Sequence, residues 1–356
     1  MRQDVIAHST QVHSTQRLSD RPLWLDERLK WFQSLEFGLI LHWGLYAFWD
    51  CCESWPLSPD DDWARNPNMR CWRDRGYDIA RFQRDYWDLI EQFNPVQFDP
   101  DAWAATFVEA GAKYVCFTTK HHDGFCMWDT KTTDYKITGP RCPFHTHPKA
   151  DVTRHLFDAL RRAGLGVSVY FSKADWHCPY YWAPEQPGVP AATGRHANTV
   201  DHPELWEKFV QYTHEQIREL MTDYGKIAIL WLDAGWVRDR EDIRMAEMVE
   251  MARALQPGLI VANRTVGDFE DFVTPEREIP EEGLDVPWEA CLPLAPDWKY
   301  TEGQMRKTAE VVSGEIERTN HMGGNFLLGI GPKYDGTITD EDQVILREIG
   351  RLRGNS

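Results

Sequence analysis

Short apolar stretches alternate with longer amphipathic stretches along most of this 356-residue chain. The clearest apolar stretch covers residues 227–232, which are rich in branched side chains and run directly into Asp233. A run that is this short and this apolar is typical of a strand buried on both faces. We therefore predict a buried strand whose last residue, Asp233, lies at the rim of a cleft.

Seven other segments show a similar strand pattern, and stretches with a helical spacing of apolar residues separate most of them. The other predicted strands cover residues 37–44, 113–119, 166–172, 259–262, 272–276, 286–292 and 323–332. The predicted helices cover residues 24–32, 101–111, 151–164, 203–224, 241–255, 302–320 and 340–351. Alternating strands and helices are typical of a parallel sheet. Eight strands predict an α/β fold, a (β/α)8-like (TIM-type) barrel, which is irregular around strands five and six because no helix separates them.

We expect this barrel to be one domain, residues 22–356, after a polar N-terminal leader at residues 1–21. Polar side chains lie at or near the ends of the predicted strands: His42, His121, His122, Tyr170, Asp233, Arg264, Glu276 and Glu289. In a barrel of parallel strands, the C-terminal strand ends meet at one mouth, where the active sites of such barrels lie. The pattern therefore predicts one site with several imidazoles, an arginine, a phenol and carboxylates.

The composition excludes some classes of function. The chain carries 39 Lys and Arg against 56 Asp and Glu, and this net charge of −17 argues against nucleic acid or an anionic membrane as partner. The eight cysteines form no CxxC pair, which favours reduced thiols. The first twenty residues lack the apolar core of a signal peptide, and no apolar run is long enough to span a membrane. These features predict a cytoplasmic protein.

The set of polar residues suits glycoside hydrolysis. Two carboxylates on either side of a sugar can act as nucleophile and as general acid/base. The chain is also rich in tryptophan, with 17 residues, and an indole face can cover the C–H face of a sugar ring. A metal site is the alternative. We expect none, because His121 and His122 are adjacent and would point to opposite sides of a strand, and no HExxH motif is present.

Several motifs resemble the α-L-fucosidases of glycoside hydrolase family twenty-nine. His42-Trp43-Gly44-Leu45-Tyr46 resembles the HWG-x-Y opening of that family. Thr119-Lys120-His121-His122-Asp123-Gly124-Phe125 is close to its TKHHDGF block, and Leu230-Trp231-Leu232-Asp233 is similar to its nucleophile strand. The segments Thr274-Pro275-Glu276, Trp288-Glu289 and Gly323-Gly324-Asn325 also match. The resemblance runs in order over residues 24–350.

The resemblance implies a retaining exo-hydrolase that releases terminal α-L-fucose from fucosylated oligosaccharides or glycosides and that needs no metal or organic cofactor. Asp233 would be the nucleophile. The general acid/base would be Glu276, which we favour, or Glu289, which could instead be a structural carboxylate. The implied substrate-binding residues are His42, Glu53, Trp55, His121, His122, Tyr170, Trp231, Arg264 and Trp288.

Three questions stay open from the sequence. The same barrel and mechanism could act on a related pyranoside such as galactose, or a non-catalytic barrel could bind fucose. Many family members carry a C-terminal β-sandwich, whereas this chain ends some twenty residues after Pro332. We therefore expect a barrel without that domain, with a cleft that is either more open or completed by another subunit of a homo-oligomer.

Overall fold

Parallel strands form the centre of the molecule. The computed structural model describes residues 23–181, 197, 199–238, 241–262, 264 and 269–354, so the predicted leader at residues 1–21 lies outside the described residues. The strands of this part of the chain are β1 (Phe37–Leu41), β2 (Tyr114–Lys120), β3 (Gly166–Ser172), β4 (Ile229–Asp233), β5 (Ile260–Val261), β6 (Glu289–Pro293) and β7 (Asn325–Ile330). They form one sheet in the order β5-β4-β3-β2-β1-β7-β6, and every pairing is parallel.

The predicted sixth strand is present only as isolated bridges. Its residues form three parallel bridges with the neighbouring segments, Ala262 to Phe272, Val273 to Trp288 and Glu276 to Cys291. Pro275 cannot donate a backbone hydrogen bond, and Arg277 has a φ of 57°, so the segment does not continue as a regular strand. Because this segment contacts both edges of the sheet, it completes the ring. The predicted (β/α)8-like barrel and its irregularity are confirmed.

The helices lie between the strands along the chain. Those of the described residues are α1 (Leu23–Gln33), α2 (Arg70–Arg73), α3 (Ile79–Trp87), α4 (Pro100–Glu109), α5 (Val152–Arg162), α6 (Pro203–Asp223), α7 (Met245–Leu255), α8 (Ala309–His321) and α9 (Asp340–Leu352). The helix that was predicted from residue 302 begins at Ala309, because the Thr308 side chain caps it by accepting a hydrogen bond from Val311 N. The short helices α2 and α3 lie in a stretch with no predicted helix.

The strands are buried almost throughout. All residues of β1, β2, β6 and β7 are buried, and in β4 only Asp233 is partly exposed. The apolar run before Asp233 is therefore core, as its pattern predicts, and its last residue reaches the mouth of the barrel. No helix of the described residues has both the length and the apolar character that a membrane span requires.

Candidate active site

Asp233 lies at the C-terminal end of β4 and has three polar neighbours from other segments. Tyr170 donates a hydrogen bond from Oη to Asp233 Oδ2 over 2.5 Å. Arg264 donates from Nη1 to Asp233 Oδ1 over 2.8 Å, and Nε2 of His122 lies 3.8 Å from Oδ2. Only 13% of the Asp233 side chain is exposed. The predicted convergence of strand ends therefore exists around this carboxylate.

The neighbours of Asp233 keep its carboxylate ionised. Burial raises the pKa of Asp233, but the charge of Arg264, the His122 ring and the hydrogen bond from Tyr170 lower it more. The net result is a pKa well below the ordinary value of 3.8. Asp233 is thus a carboxylate at any pH at which the protein is expected to work, which is the form that a nucleophile requires.

Arg264 links Asp233 to a second carboxylate. Its Nη2 donates to Glu276 Oε2 over 2.6 Å, while its Nη1 holds Asp233. The guanidinium also lies 5.0 Å from the centre of the Trp231 ring. Glu276 belongs to the bridging segment between β5 and β6, and 36% of its side chain is exposed. The structure therefore brings two carboxylates to one cation, one of them enclosed and the other accessible to solvent.

The histidine pair after β2 reaches the site from one side. Because β2 ends at Lys120, the alternation of a strand does not apply to His121 and His122, and the expectation that they point apart is wrong. Their ring centres are 4.1 Å apart. Ser54 Oγ lies 2.5 Å from Nδ1 of His121, and Ser172 Oγ lies 2.7 Å from Nδ1 of His122. One serine thus fixes the orientation of each ring.

The hydrogen bonds of Ser172 assign the tautomer of His122. The hydroxyl of Ser172 donates to the carbonyl of Ala174 over 2.8 Å, so it accepts from His122 Nδ1–H. This leaves Nε2 of His122 facing Asp233, either as a lone pair or, in the charged imidazolium, as a donor.

The histidines His42 and His121 are neutral. Burial lowers the pKa of His42 to about 3, since the opposing attraction of Asp233 is smaller. Burial also holds the pKa of His121 well below 6.5, and the neighbouring His122 and His42 add to the effect. The His42 ring stacks on Trp298 with centres 5.2 Å apart. Both residues can therefore exchange hydrogen bonds with a neutral ligand without adding charge.

Glu53 binds the backbone of the loop that carries Trp298 and Lys299. Its carboxylate accepts hydrogen bonds from the backbone N–H groups of Trp298 and Lys299, each over 3.2 Å, and it is buried. Burial raises its pKa to about 7. The neighbouring Ser54 contacts His121 instead. With a φ of 41° the backbone turns at Glu53, and its carboxylate holds the loop that carries Trp298. The substrate-binding role expected of Glu53 stays a prediction.

Glu289 also lies apart from the polar cluster around Asp233. It is the first residue of β6, so the expectation that it lies at the C-terminal end of a strand is wrong. Tyr114, the first residue of β2, donates to its Oε2, and Trp231 Nε1 donates to its Oε1 over 3.1 Å. Burial raises the pKa of Glu289 to about 7, although both hydrogen bonds act in the opposite direction. Glu289 is fully buried, and both of its oxygens have protein partners.

A comparison with protein families identifies the relatives of this fold and site. The family model described as alpha-L-fucosidase matches residues 5–354. The chain belongs to the α-L-fucosidase family. The resemblance inferred from the sequence motifs is confirmed.

Fucosidases from bacteria and animals show the same relationship. The α-L-fucosidase isoenzyme 1 from Paenibacillus thiaminolyticus is 33% identical, with a TM-score of 0.76 over 93% of this chain and 76% of that chain. A trapped covalent intermediate of a family twenty-nine α-L-fucosidase from Bacteroides thetaiotaomicron, with 2-fluoro-fucosyl fluoride, is 25% identical, with a TM-score of 0.72 over 93% of this chain and 75% of that one. A putative α-L-fucosidase of Caenorhabditis elegans is 26% identical over 94% of this chain. The chain spans 66% of the length of that curated relative.

Four tryptophans pack beside the histidines of this fucosidase-family site. The Trp55 ring lies 4.9 Å from His122, 5.8 Å from Trp176 and 5.4 Å from Trp236. Trp298 covers His42. Of these, only Trp55 was expected from the sequence. Trp236 lies three residues after Asp233, and Ser172 is the last residue of a predicted strand, so the sequence carries a signal for both.

The remaining tryptophans of the expected set are core residues. Trp231 stacks on Tyr170 with ring centres 5.4 Å apart, and its N–H is already used by Glu289. Trp288 is buried against Gly324, where an added Cβ would lie 2.3 Å from the indole. Both side chains are almost fully buried, and the substrate-binding role expected of them stays a prediction.

A metal ion has one set of candidate ligands among the described residues. His121, His122 and Asp233 each offer a ligand atom, and these atoms lie within 4.8 Å of one another. However, Arg264 already donates to Asp233, and its positive charge opposes a dication there. The expectation of a site without metal or cofactor stays a prediction.

Proposed function

We propose that this chain is a retaining exo-α-L-fucosidase, with Asp233 as nucleophile and Glu276 as general acid/base. One observation carries the proposal: the ionised Asp233 and the accessible Glu276 bind the two terminal nitrogens of one guanidinium. A pair of nearby carboxylates is the machinery of retaining glycosidases. The covalent fucosyl intermediate trapped in the Bacteroides relative supports a double displacement.

The reaction would run in two steps. In the first, an oxygen of Asp233 attacks C1 of the fucosyl residue, the bond from C1 to the glycosidic oxygen breaks, and protonated Glu276 gives its proton to that oxygen. In the second, ionised Glu276 takes a proton from water, the water oxygen attacks C1, and the ester to Asp233 breaks. Two inversions at C1 give α-L-fucose.

Accessibility favours Glu276 over Glu289 as the acid/base. That group must reach both the leaving oxygen and a water molecule. Glu276 is partly exposed and contacts the partner of Asp233. Glu289 is enclosed between Tyr114 and Trp231, at the opposite end of its strand from the barrel mouth.

The histidines and aromatic rings would hold the fucosyl residue. Nδ1 of His42 is buried and has no hydrogen-bond partner in the described part of the chain, a state that costs about 1–3 kcal/mol. A sugar hydroxyl would satisfy it. His121 and His122, fixed by their serines, are further partners for hydroxyl groups. Trp55 offers a partly exposed indole for the apolar face of the ring.

The test is turnover of an activated aryl α-L-fucoside by three variants. Asp233→Ala should lose several orders of magnitude in kcat/KM, because no covalent step remains. Glu276→Ala should lose mainly the second step and regain activity with azide, which inverts C1 of the fucosyl-enzyme a second time and gives α-L-fucosyl azide. Glu278→Ala, an exposed neighbour in the same loop, is the matched control and should behave as the wild type.

Two outcomes would contradict this assignment. Near-normal turnover by Asp233→Ala would show that Asp233 is not the nucleophile. The absence of azide rescue in Glu276→Ala would show that Glu276 is not the acid/base. A first-formed product that is β-L-fucose by proton NMR would exclude retention. A panel of aryl glycosides decides the sugar, since faster cleavage of a galactoside than of the fucoside would favour the related-pyranoside alternative.

A further inference from the structure

Trp63 is a half-exposed indole close to the site and outside the set that surrounds Asp233. It lies in a single 3-10 turn, Asp62–Ala64, in the excursion between β1 and β2. Half of its surface, 50%, is exposed. Its ring centre is 5.5 Å from that of Trp55.

An unbroken series of contacts connects this ring to the nucleophile. Trp55 packs against His122 with ring centres 4.9 Å apart, and Nε2 of His122 is 3.8 Å from Asp233. Exposure rises along this series, from the buried His122 through the partly exposed Trp55 to Trp63. Trp63 therefore continues the wall of the pocket outwards, towards solvent.

The ring of Trp63 is held in place from behind. Its Nε1–H donates to Asp61 Oδ1 over 2.9 Å, and Asp61 is buried. The Arg65 guanidinium, whose side chain is only 7% exposed, lies inside the turn and donates to the carbonyls of Ser58 and Pro59. A ring that is already fixed loses little conformational freedom when a ligand covers it, which favours binding.

We propose that Trp63 forms a subsite for a neutral sugar ring of the leaving glycan. The inference rests on the proposed function: if a terminal fucosyl residue fills the pocket at Asp233, every other sugar of the substrate belongs to the leaving group. The exposed indole face matches the C–H face of a pyranose. The net charge of −17 of the chain favours neutral sugars over sialylated or sulfated ones.

The experiment compares a substrate that can reach Trp63 with one that cannot. We would measure kcat/KM for fucosylated lactose and fucosylated N-acetyllactosamine, and for α-L-fucosyl fluoride, whose leaving group is a single atom. Trp63→Ala should lower the ratio of oligosaccharide to fluoride turnover by about two- to tenfold, as expected for the loss of one aromatic contact. Trp63→Phe should restore most of that ratio.

The matched control is Trp24→Ala. Trp24 is also exposed, at 38%, but it lies on α1 and packs over Arg253. It should leave the ratio unchanged. Equal losses of turnover on both substrates in Trp63→Ala would leave the ratio unchanged and would show that Trp63 only supports Trp55. That result would overturn the proposal, and so would full turnover of both substrates by the variant.

A binding measurement separates this proposal from the hydrolytic one. Saturation-transfer NMR with fucose-free lactose and N-acetyllactosamine should detect contact with the wild type and a clear loss in Trp63→Ala. Equal signals from the two proteins, or none from the wild type, would overturn the subsite whatever the enzymatic activity. Conversely, an intact signal with no fucoside cleavage would count against the proposed function alone.

Discussion

Replacing Glu289 with glutamine should make the free energy of unfolding depend less on pH. Burial raises the pKa of Glu289 from an ordinary 4.5 to about 7. The folded protein therefore binds this proton more tightly than the unfolded chain does. The stabilisation is fully present below pH 4.5 and is lost as the pH rises through 7.

The size of the effect follows from the two pKa values. At about 1.4 kcal/mol for each pH unit between them, ionisation of Glu289 should remove about 3 kcal/mol of folding free energy between pH 4.5 and pH 8. The Glu289→Gln variant has no titratable proton at this position. Its amide oxygen can accept from Trp231 and its amide N–H can donate to Tyr114, which is the pattern of the protonated acid. The stability of the variant relative to the wild type should therefore rise by about 3 kcal/mol over this range.

Urea unfolding of both proteins at a series of pH values between 4.5 and 8 measures this difference. Burial raises the pKa of Glu53 and of Asp123 to about 7 as well, but both residues are present in both proteins and cancel in the comparison. Glu278→Gln, the same substitution at an exposed position, is the matched control. Parallel stability curves for wild type and Glu289→Gln would refute the reasoning.

The same variant tests the choice between the two glutamates. Glu289→Gln should keep most of its turnover of an aryl fucoside, because the two carboxylate oxygens of Glu289 accept hydrogen bonds from Tyr114 and Trp231, at the end of β6 opposite to the barrel mouth. A loss of several orders of magnitude that azide restores would identify Glu289 as the acid/base and would overturn the assignment of Glu276.

Three further outcomes are expected. Gly324→Ala should lower the free energy of unfolding by about 1–3 kcal/mol in urea titrations, because the new Cβ would lie 2.3 Å from the Trp288 ring. Gly314→Ala, inside α8 with no atom within 4 Å of the added Cβ, should instead raise it by about 0.5–1 kcal/mol. Fucoside turnover should survive dialysis against EDTA, because Arg264 already donates to Asp233 and its charge opposes a dication at the ligand atoms of His121, His122 and Asp233. A loss of activity in EDTA that Zn²⁺ restores would instead show a metal enzyme.

The fold could be predicted from the sequence because apolar runs and helical spacing are local patterns. The apolar run that ends at Asp233 became β4, and the helical spacing before it became α6, with ends within two residues of the predicted ones. Alternation of such segments is enough to predict a parallel barrel. The segment around Pro275 shows the limit, since apolar character alone does not reveal that a missing N–H and a turn at Arg277 reduce a strand to bridges.

The partners of the site residues were harder to predict from the sequence, because the direction of the backbone decides where each side chain points. Three consecutive side chains have three different partners: Glu53 binds a backbone loop, Ser54 contacts a histidine, and Trp55 packs in an aromatic cluster. Spacing predicted that this stretch reaches the site but not which side chain does so. For Glu289, the start of β6 decides whether the carboxylate lies at the mouth or at the opposite end of the barrel, and the apolar pattern placed that start three residues too early.

Arg264 can balance the charge of two neighbouring acidic groups through both steps of the proposed reaction. A buried charge without a partner is costly. Before the first step, Asp233 is ionised and Glu276 carries the proton, so the guanidinium has one anionic partner. After that step, Asp233 is a neutral ester and Glu276 is ionised, so the same cation again has one anionic partner at the other nitrogen. The negative charge moves from one carboxylate to the other while the cation that balances it stays in place.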